Sequence, residues 1–178
     1  MMNTASSIVL VGPTGAGKSS LAKLLAQPLN LRHVDLDQTI EEEVGATIQT
    51  IFAEKNEAYF RQRESEILRQ LLQRDGILLA TGAGCVLDAD NRRLMRERAF
   101  VVHIEISLEE QLRRLNKDVT RPLLQHPQRS DILREMARVR TPLYREVAHL
   151  QFNNDIARSS KGAGAQLLTQ ITRHWKRP

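Results

Sequence analysis

Cysteine is almost missing: Cys85 is the only one among 178 residues. A single thiol excludes an internal disulfide framework and any multi-cysteine zinc site, and it suits a reducing compartment. Aromatic residues are scarce too, at 4%. Single-strand binding needs several exposed Phe, Tyr or Trp for base stacking, and neither an RNP-type aromatic strand nor a Cys/His finger occurs, so no nucleic-acid partner is expected. Long apolar runs are absent as well. The longest, Ile8–Val11 and Ile77–Ala80, fall far short of the ~18 residues of a membrane span, and the polar Met1–Ser7 lacks the charged and apolar regions of a signal peptide. These absences predict a soluble, cytoplasmic protein with no membrane partner. The five histidines show no pairing at a metal-ligand spacing.

What is present reads as one domain. The length suits a single compact unit, and 41% hydrophobic with 26% charged residues is an ordinary globular composition. The net charge of +5 and a pI near 9.8 favour a small polyanionic ligand. The basic ending Arg173-His174-Trp175-Lys176-Arg177 reads as a solvated last helical turn.

Hydrophobic periodicity predicts an alternating order: a strand Ile8–Val11, a helix Lys18–Gln27, a strand Arg32–Asp37, helical segments from Gln38 to Gln73, a strand Gly76–Thr81, a helix Asp90–Arg98 and a strand Ala99–Glu105. Ser107–Glu110 has the form of a capping box that opens a helix to Asn116. A Pro-containing loop, Lys117–Gln128, precedes a helix Arg129–Ala148. A weak strand Leu150–Asn153, a flexible join Ser159–Gly164 and a helix Gly164–Trp175 end the pattern. Such alternation implies an α/β fold with a parallel sheet between helices.

Gly12-Pro13-Thr14-Gly15-Ala16-Gly17-Lys18-Ser19 satisfies the pattern G-x-x-x-x-G-K-S/T, between a predicted strand and a predicted helix. Glycines let backbone N–H groups close on phosphate oxygens, and the helix N-terminus adds positive potential. Lys18 can bridge the outer phosphates and Ser19 can ligate Mg²⁺. The motif implies a nucleoside triphosphate but does not name the acceptor. An Asn-Lys-x-Asp run for guanine is missing, since Asn116-Lys117-Asp118-Val119 fails it. Small size and a basic loop point to a kinase with a closing lid.

Asp35-Leu36-Asp37 sits at the end of the second strand, where ligands of open parallel sheets gather. Strand alternation would send both carboxylates the same way, one toward a metal-bound water and one toward an acceptor hydroxyl. In Phe60-Arg61-x-x-Glu64, helical spacing sets Glu64 beside Arg61, and a fixed arginine suits a substrate carboxylate. Gly82-Ala83-Gly84 ends the third strand and offers close backbone approach. Arg121 lies in the loop, where it can cover a transferring phosphate. Arg140 precedes Pro142, read as a local helix break that turns the arginine into the pocket, where Arg61 and Arg140 could clamp one carboxylate.

The motifs GPTGAGKS, DLD, FRQRE, TGAG, RPLL and RTPLY, in this order and spacing between Ile8 and Val147, resemble the shikimate kinase family. The resemblance implies a three-layer P-loop kinase fold, with a five-stranded parallel sheet in order 2-3-1-4-5 and a mobile lid. It implies ATP and Mg²⁺ as cofactors, shikimate as substrate and phosphorylation at its 3-hydroxyl; a monomer is expected, though the sequence does not report oligomeric state. By motif, Lys18, Asp37 and Arg121 resemble the catalytic set. Gly15, Ala16, Gly17, Lys18, Ser19, Ser20, Arg114 and Arg121 resemble the nucleotide set, with Arg114 stacked on adenine. Asp37, Arg61, Gly82, Ala83, Gly84 and Arg140 resemble the substrate set, Glu64 orients Arg61, and Ser19 with Asp35 resembles the metal pair. The helical segment 38–73 corresponds to the substrate-binding part and 117–128 to the lid.

Two departures stand out. Ala83 replaces a middle glycine and would be strained if its backbone took positive φ. Leu150–Asp155 replaces the family's pattern near adenine, so no residue there is assignable from sequence. A different small-molecule kinase, or a non-catalytic protein keeping the ATP site, would share the phosphate loop. The former has no need for Asp37, Arg61 and Arg140 together, and intact Lys18, Asp37 and Arg121 argue against the latter.

Overall fold

The computed structural model describes residues 5–116, 127–155 and 159–176. Five strands, β1 (Ile8–Val11), β2 (Arg32–Asp35), β3 (Ile77–Ala80), β4 (Phe100–Glu105) and β5 (Leu150–Asn153), form one parallel sheet in order β2-β3-β1-β4-β5. This is the expected order. β1 lies at the centre and is wholly buried, as its continuous apolar run requires of a strand covered on both faces.

Alternate residues of β1 enter two cores. Ile8 and Leu10 pack with Leu21 and Leu25 of α1 (Lys18–Ala26) and with Leu167 and Ile171 of α8 (Ser160–His174). Val9 and Val11 face the other side, covered by α2 (Leu36–Val44), α3 (Ile48–Glu54), α4 (Glu57–Leu71), α5 (Ala89–Arg98) and α7 (Arg129–Val147). α6 (Leu108–Leu115) meets α7 through a small cluster of Leu115 and Leu133. Among the described residues, no helix is long and apolar enough to cross a membrane.

Four sequence expectations change. β2 ends at Asp35, because that carboxylate accepts the Gln38 N–H and caps α2; Asp37 is therefore helical and points by helical geometry, not by strand alternation. α8 begins at Ser160 and includes Gly162 and Gly164, since Ser159 caps it by accepting the Gly162 N–H at 3.1 Å. α7 runs unbroken through Pro142, its later turns held to the core by buried Tyr144 and Val147. Trp175 is not part of a solvated turn: it is 5% exposed, and its Nε1 donates to the Ala5 carbonyl at 2.6 Å. Residues Lys117–His126, most of the expected lid and Arg121 with it, lie outside the described residues.

Candidate active site

The candidate site residues described here gather at the carboxyl edge of the sheet, the edge where open α/β sheets bind ligands. β1 delivers the phosphate loop, β2 delivers Asp35, the first turn of α2 delivers Asp37, and β3 delivers the Gly82-Ala83-Gly84 turn. The helices that follow add the rest.

The phosphate loop turns back on itself at Gly15 (φ 80°) and Gly17 (φ 92°), left-handed conformations that L side chains rarely adopt. Gly17 is the N-cap of α1, so the positive end of that helix opens where phosphate would lie. Lys18 is 8% exposed and its Nζ donates to the carbonyls of Gly12 at 2.7 Å and Pro13 at 2.9 Å. Ser19 and Ser20 stand exposed in the first turn. The Ser19 hydroxyl donates to Asp35 Oδ2 at 2.6 Å, so the expected metal pair is in contact. A hydroxyl and a carboxylate beside a phosphate loop are hard oxygen donors, and they fit Mg²⁺.

Arg114 lies against the loop from α6. Its Nη1 donates to the carbonyls of Gly15 and Ala16, both at 3.4 Å, and its Nη2 to the carbonyl of Asn154 at 2.6 Å. Glu110 holds it by accepting from Nε at 2.7 Å. The expected capping box is thus half formed. Ser107 caps α6, but the Ser107 N–H goes to Asp155 at 2.7 Å while Glu110 serves arginines, which hold its carboxyl down at about 2.

The second half of the site closes around the turn after β3. A Cβ built on Gly82 would stand 2.7 Å from Asp37 Oδ1 and 3.1 Å from Glu64 Oε1, and one on Gly84 would collide with the Arg61 guanidinium. A side chain at either position would push the Asp37 carboxylate or the Arg61 guanidinium from its place, so glycine here leaves room for the two site groups. Ala83 between them is not among the positive-φ residues, so the strain considered for it does not arise. Its carbonyl accepts the Tyr144 hydroxyl at 2.5 Å.

Arg61 Nη1 donates to Glu64 Oε2 at 2.7 Å, as the helical spacing predicted, and its Nε reaches Glu57 at 3.3 Å. Glu64 is 1% exposed. Burial pushes its carboxyl above the usual range; Arg61 opposes the rise, Asp37 adds to it, and Arg140 opposes it. Arg140, on the unbroken α7, is near enough to act on the Glu64 carboxyl, and with Tyr144, His103, Pro13 and Thr14 it lines a cavity of about 280 Å³ beside the phosphate loop. Cys85 is fully buried, and burial raises its thiol well above the ordinary value, which leaves it a packing residue. Among the described residues, no cluster of three or more His, Cys, Asp or Glu could hold a metal.

The shikimate kinase family model matches residues 14–174. The chain belongs to the shikimate kinase family. A shikimate kinase of Xanthomonas campestris pv. campestris (strain 8004) is 47% identical over 98% of this chain and 97% of its own length. One from Stenotrophomonas maltophilia (strain R551-3) is 44% identical over 99% and 97%. Among solved structures, the shikimate kinase from Acinetobacter baumannii in complex with shikimate superposes with a TM-score of 0.89 at 38% identity, covering 96% of this chain and 94% of that one.

Within this shikimate kinase family member, sequence reasoning missed Gln111 and Asn154. Both are buried and both touch the phosphate loop, Gln111 Nε2 at the Thr14 carbonyl (2.8 Å) and Asn154 Nδ2 at the Ala16 carbonyl (2.8 Å). Neither belongs to a motif, and each meets the loop across more than half the chain.

Proposed function

We propose that the chain transfers the γ-phosphoryl group of ATP to the 3-hydroxyl of shikimate, giving ADP and shikimate 3-phosphate on the route to the aromatic amino acids. The observation that carries this reading is the convergence of Asp37, Arg61 and Glu64 on the Gly82-Ala83-Gly84 turn, at the same sheet edge as the phosphate loop.

In this reading the backbone N–H groups of residues 15–19 hold the outer phosphates. Lys18 leaves its loop carbonyls to neutralise charge that develops on the transferring group. Asp37 accepts the proton of the 3-hydroxyl as its oxygen bonds to the γ-phosphorus, and the bond from that phosphorus to the β–γ bridging oxygen breaks, releasing ADP. Arg61, fixed by Glu64, and Arg140 clamp the substrate carboxylate, and the turn after β3 offers its backbone to the ring hydroxyls. Arg114 lies where it can stack on the base. Ser19 and Asp35 would hold Mg²⁺, directly and through water, and the ion supplies charge neutralisation at the phosphates. Arg121, outside the described residues, keeps its sequence-based role over the phosphoryl group. The expected cytoplasmic monomer is part of this proposal.

Coupled measurement of ADP release, with and without shikimate, tests the reading. Release should require shikimate and should fall by roughly 10²-fold or more in Lys18→Ala. Release independent of shikimate, or a Lys18→Ala variant above about a tenth of the parent rate, would reject it.

A further inference from the structure

Every carbonyl from Gly12 to Ala16 in the phosphate loop meets a side-chain donor. Lys18 takes those of Gly12 and Pro13, Gln111 that of Thr14, Arg114 those of Gly15 and Ala16, and Asn154 that of Ala16 as well. Lys18 and Arg114 already have places in the mechanism. Gln111 and Asn154, each 5% exposed, do not.

A trans peptide is planar, so the N–H of one residue points opposite to the carbonyl of the residue before it. Holding the Thr14 carbonyl outward therefore turns the Gly15 N–H inward, and holding the Ala16 carbonyl outward does the same for the Gly17 N–H. Inward N–H groups in succession are what bind a phosphate anion. Gly15 and Gly17 lack the side chains that would limit their backbone, so the direction of these peptide planes has to be imposed from outside.

Asn154 carries a second sign. Its Oδ1 is buried and has no hydrogen-bond partner among the described residues, while its Nδ2 sits 2.8 Å from the Ala16 carbonyl. Turning the amide over would set two oxygens against each other. An unsatisfied buried amide oxygen destabilises a fold, and an apolar side chain of the same size would not carry that defect. The position keeps an amide for its donor. The backbone of Asn154 is itself pinned, its N–H by the Glu105 carbonyl at 2.9 Å and its carbonyl by Arg114.

We infer that Gln111 and Asn154 are positioning residues for phosphoryl transfer, which set the Gly15 and Gly17 N–H groups toward the nucleotide phosphates by holding the carbonyls behind them. The inference rests on the reading that this loop binds ATP.

Binding of ADP and of adenosine, titrated separately on the full chain and on Gln111→Met, Asn154→Leu and the double variant, tests it. Each substitution removes one donor, so ADP should bind about two- to tenfold more weakly in each single variant and more weakly again in the double. Adenosine, without phosphates, and shikimate should bind as to the parent. If Asn154→Leu does not fold, Asn154→Ala replaces it. A double variant that binds ADP within twofold of the parent overturns the inference, and so does equal weakening of ADP and adenosine. A parent protein that holds ADP no more tightly than adenosine would instead remove the phosphate-loop reading beneath it.

Discussion

The Tyr144 hydroxyl donates to the Ala83 carbonyl at 2.5 Å, fastening the turn after β3 to helix α7. Burial raises the Tyr144 phenol above its ordinary value, so it remains a neutral donor at physiological pH. The turn that would face the substrate is thus held from behind by a side chain that does not titrate.

Ala83→Gly should leave shikimate affinity within about twofold of the parent. Its backbone has no positive φ to relieve, so glycine adds only unfolded-state entropy and should destabilise the fold by about 0.5–1 kcal/mol. Paired urea midpoints and shikimate titrations check this. A loss of phosphorylation beyond tenfold in a folded variant would show that the methyl group has a function of its own.

Glu64→Gln removes a buried charge whose surroundings favour its neutral form, while leaving an acceptor for Arg61. The unfolding midpoint at pH 7 should stay level or rise. Shikimate should bind more weakly, because a neutral amide holds the guanidinium less firmly, and Arg61→Ala should weaken shikimate further with little change for ATP. A variant that loses both stability and ATP affinity would assign Glu64 to the fold and not to the substrate side.

Asn56 takes φ 124° and ψ 173°, a backbone conformation in which residues other than glycine are strained. It is the N-cap of α4, the helix that carries Arg61 and Glu64, and accepts the Tyr59 N–H at 2.9 Å. Glycine caps only a few tenths of a kcal/mol less well, so Asn56→Gly should stabilise the protein by about 1 kcal/mol. Thermal unfolding decides it, and a lower midpoint would mean that the cap outweighs the strain.

His103 is 2% exposed on β4, tilted against the Tyr144 ring at 5.1 Å, with Nδ1 3.6 Å from Glu105. Burial chiefly, with Arg145 and Lys18, lowers its pKa from 6.5 to about 4. Between those values the unfolded chain takes up the proton and the folded one does not. Stability from this residue is therefore complete above pH 6.5 and declines as pH falls toward 4, by on the order of 2–3 kcal/mol. Urea midpoints across that range should slope less in His103→Phe. His33 and His149, also lowered by burial, add to the slope and Glu64, raised by burial, opposes it; an unchanged slope would exclude His103 as a source.

The sheet was legible because β1, β3 and β4 are short apolar runs bounded by polar turns, and the phosphate loop because its spacing is tied to a strand and a helix. Helical spacing predicted the contact of Arg61 with Glu64, but the same spacing joins Arg63 to Glu66, and only the family motif singled out the first pair. Asp37 was misplaced because Asp35 ends its strand through a capping bond, which competes with strand alternation and wins. Glu110 was misread for a related reason: the letters of a capping box do not reveal that Asp155 arrives first at the Ser107 N–H. Gln111 and Asn154 leave no local signal, since what matters is a carbonyl 97 or 138 positions away.

The bond from the Trp175 indole to the Ala5 carbonyl brings the two ends of the fold together, where β1 begins, while β1 leaves the sheet at the opposite edge into the phosphate loop. Immobilisation chemistry, a reporter domain, or a short linker that recloses a circularly permuted chain can therefore be attached at that seam. Such additions would sit a strand's length from the reacting groups and leave the edge through which nucleotide and substrate must pass open to solvent.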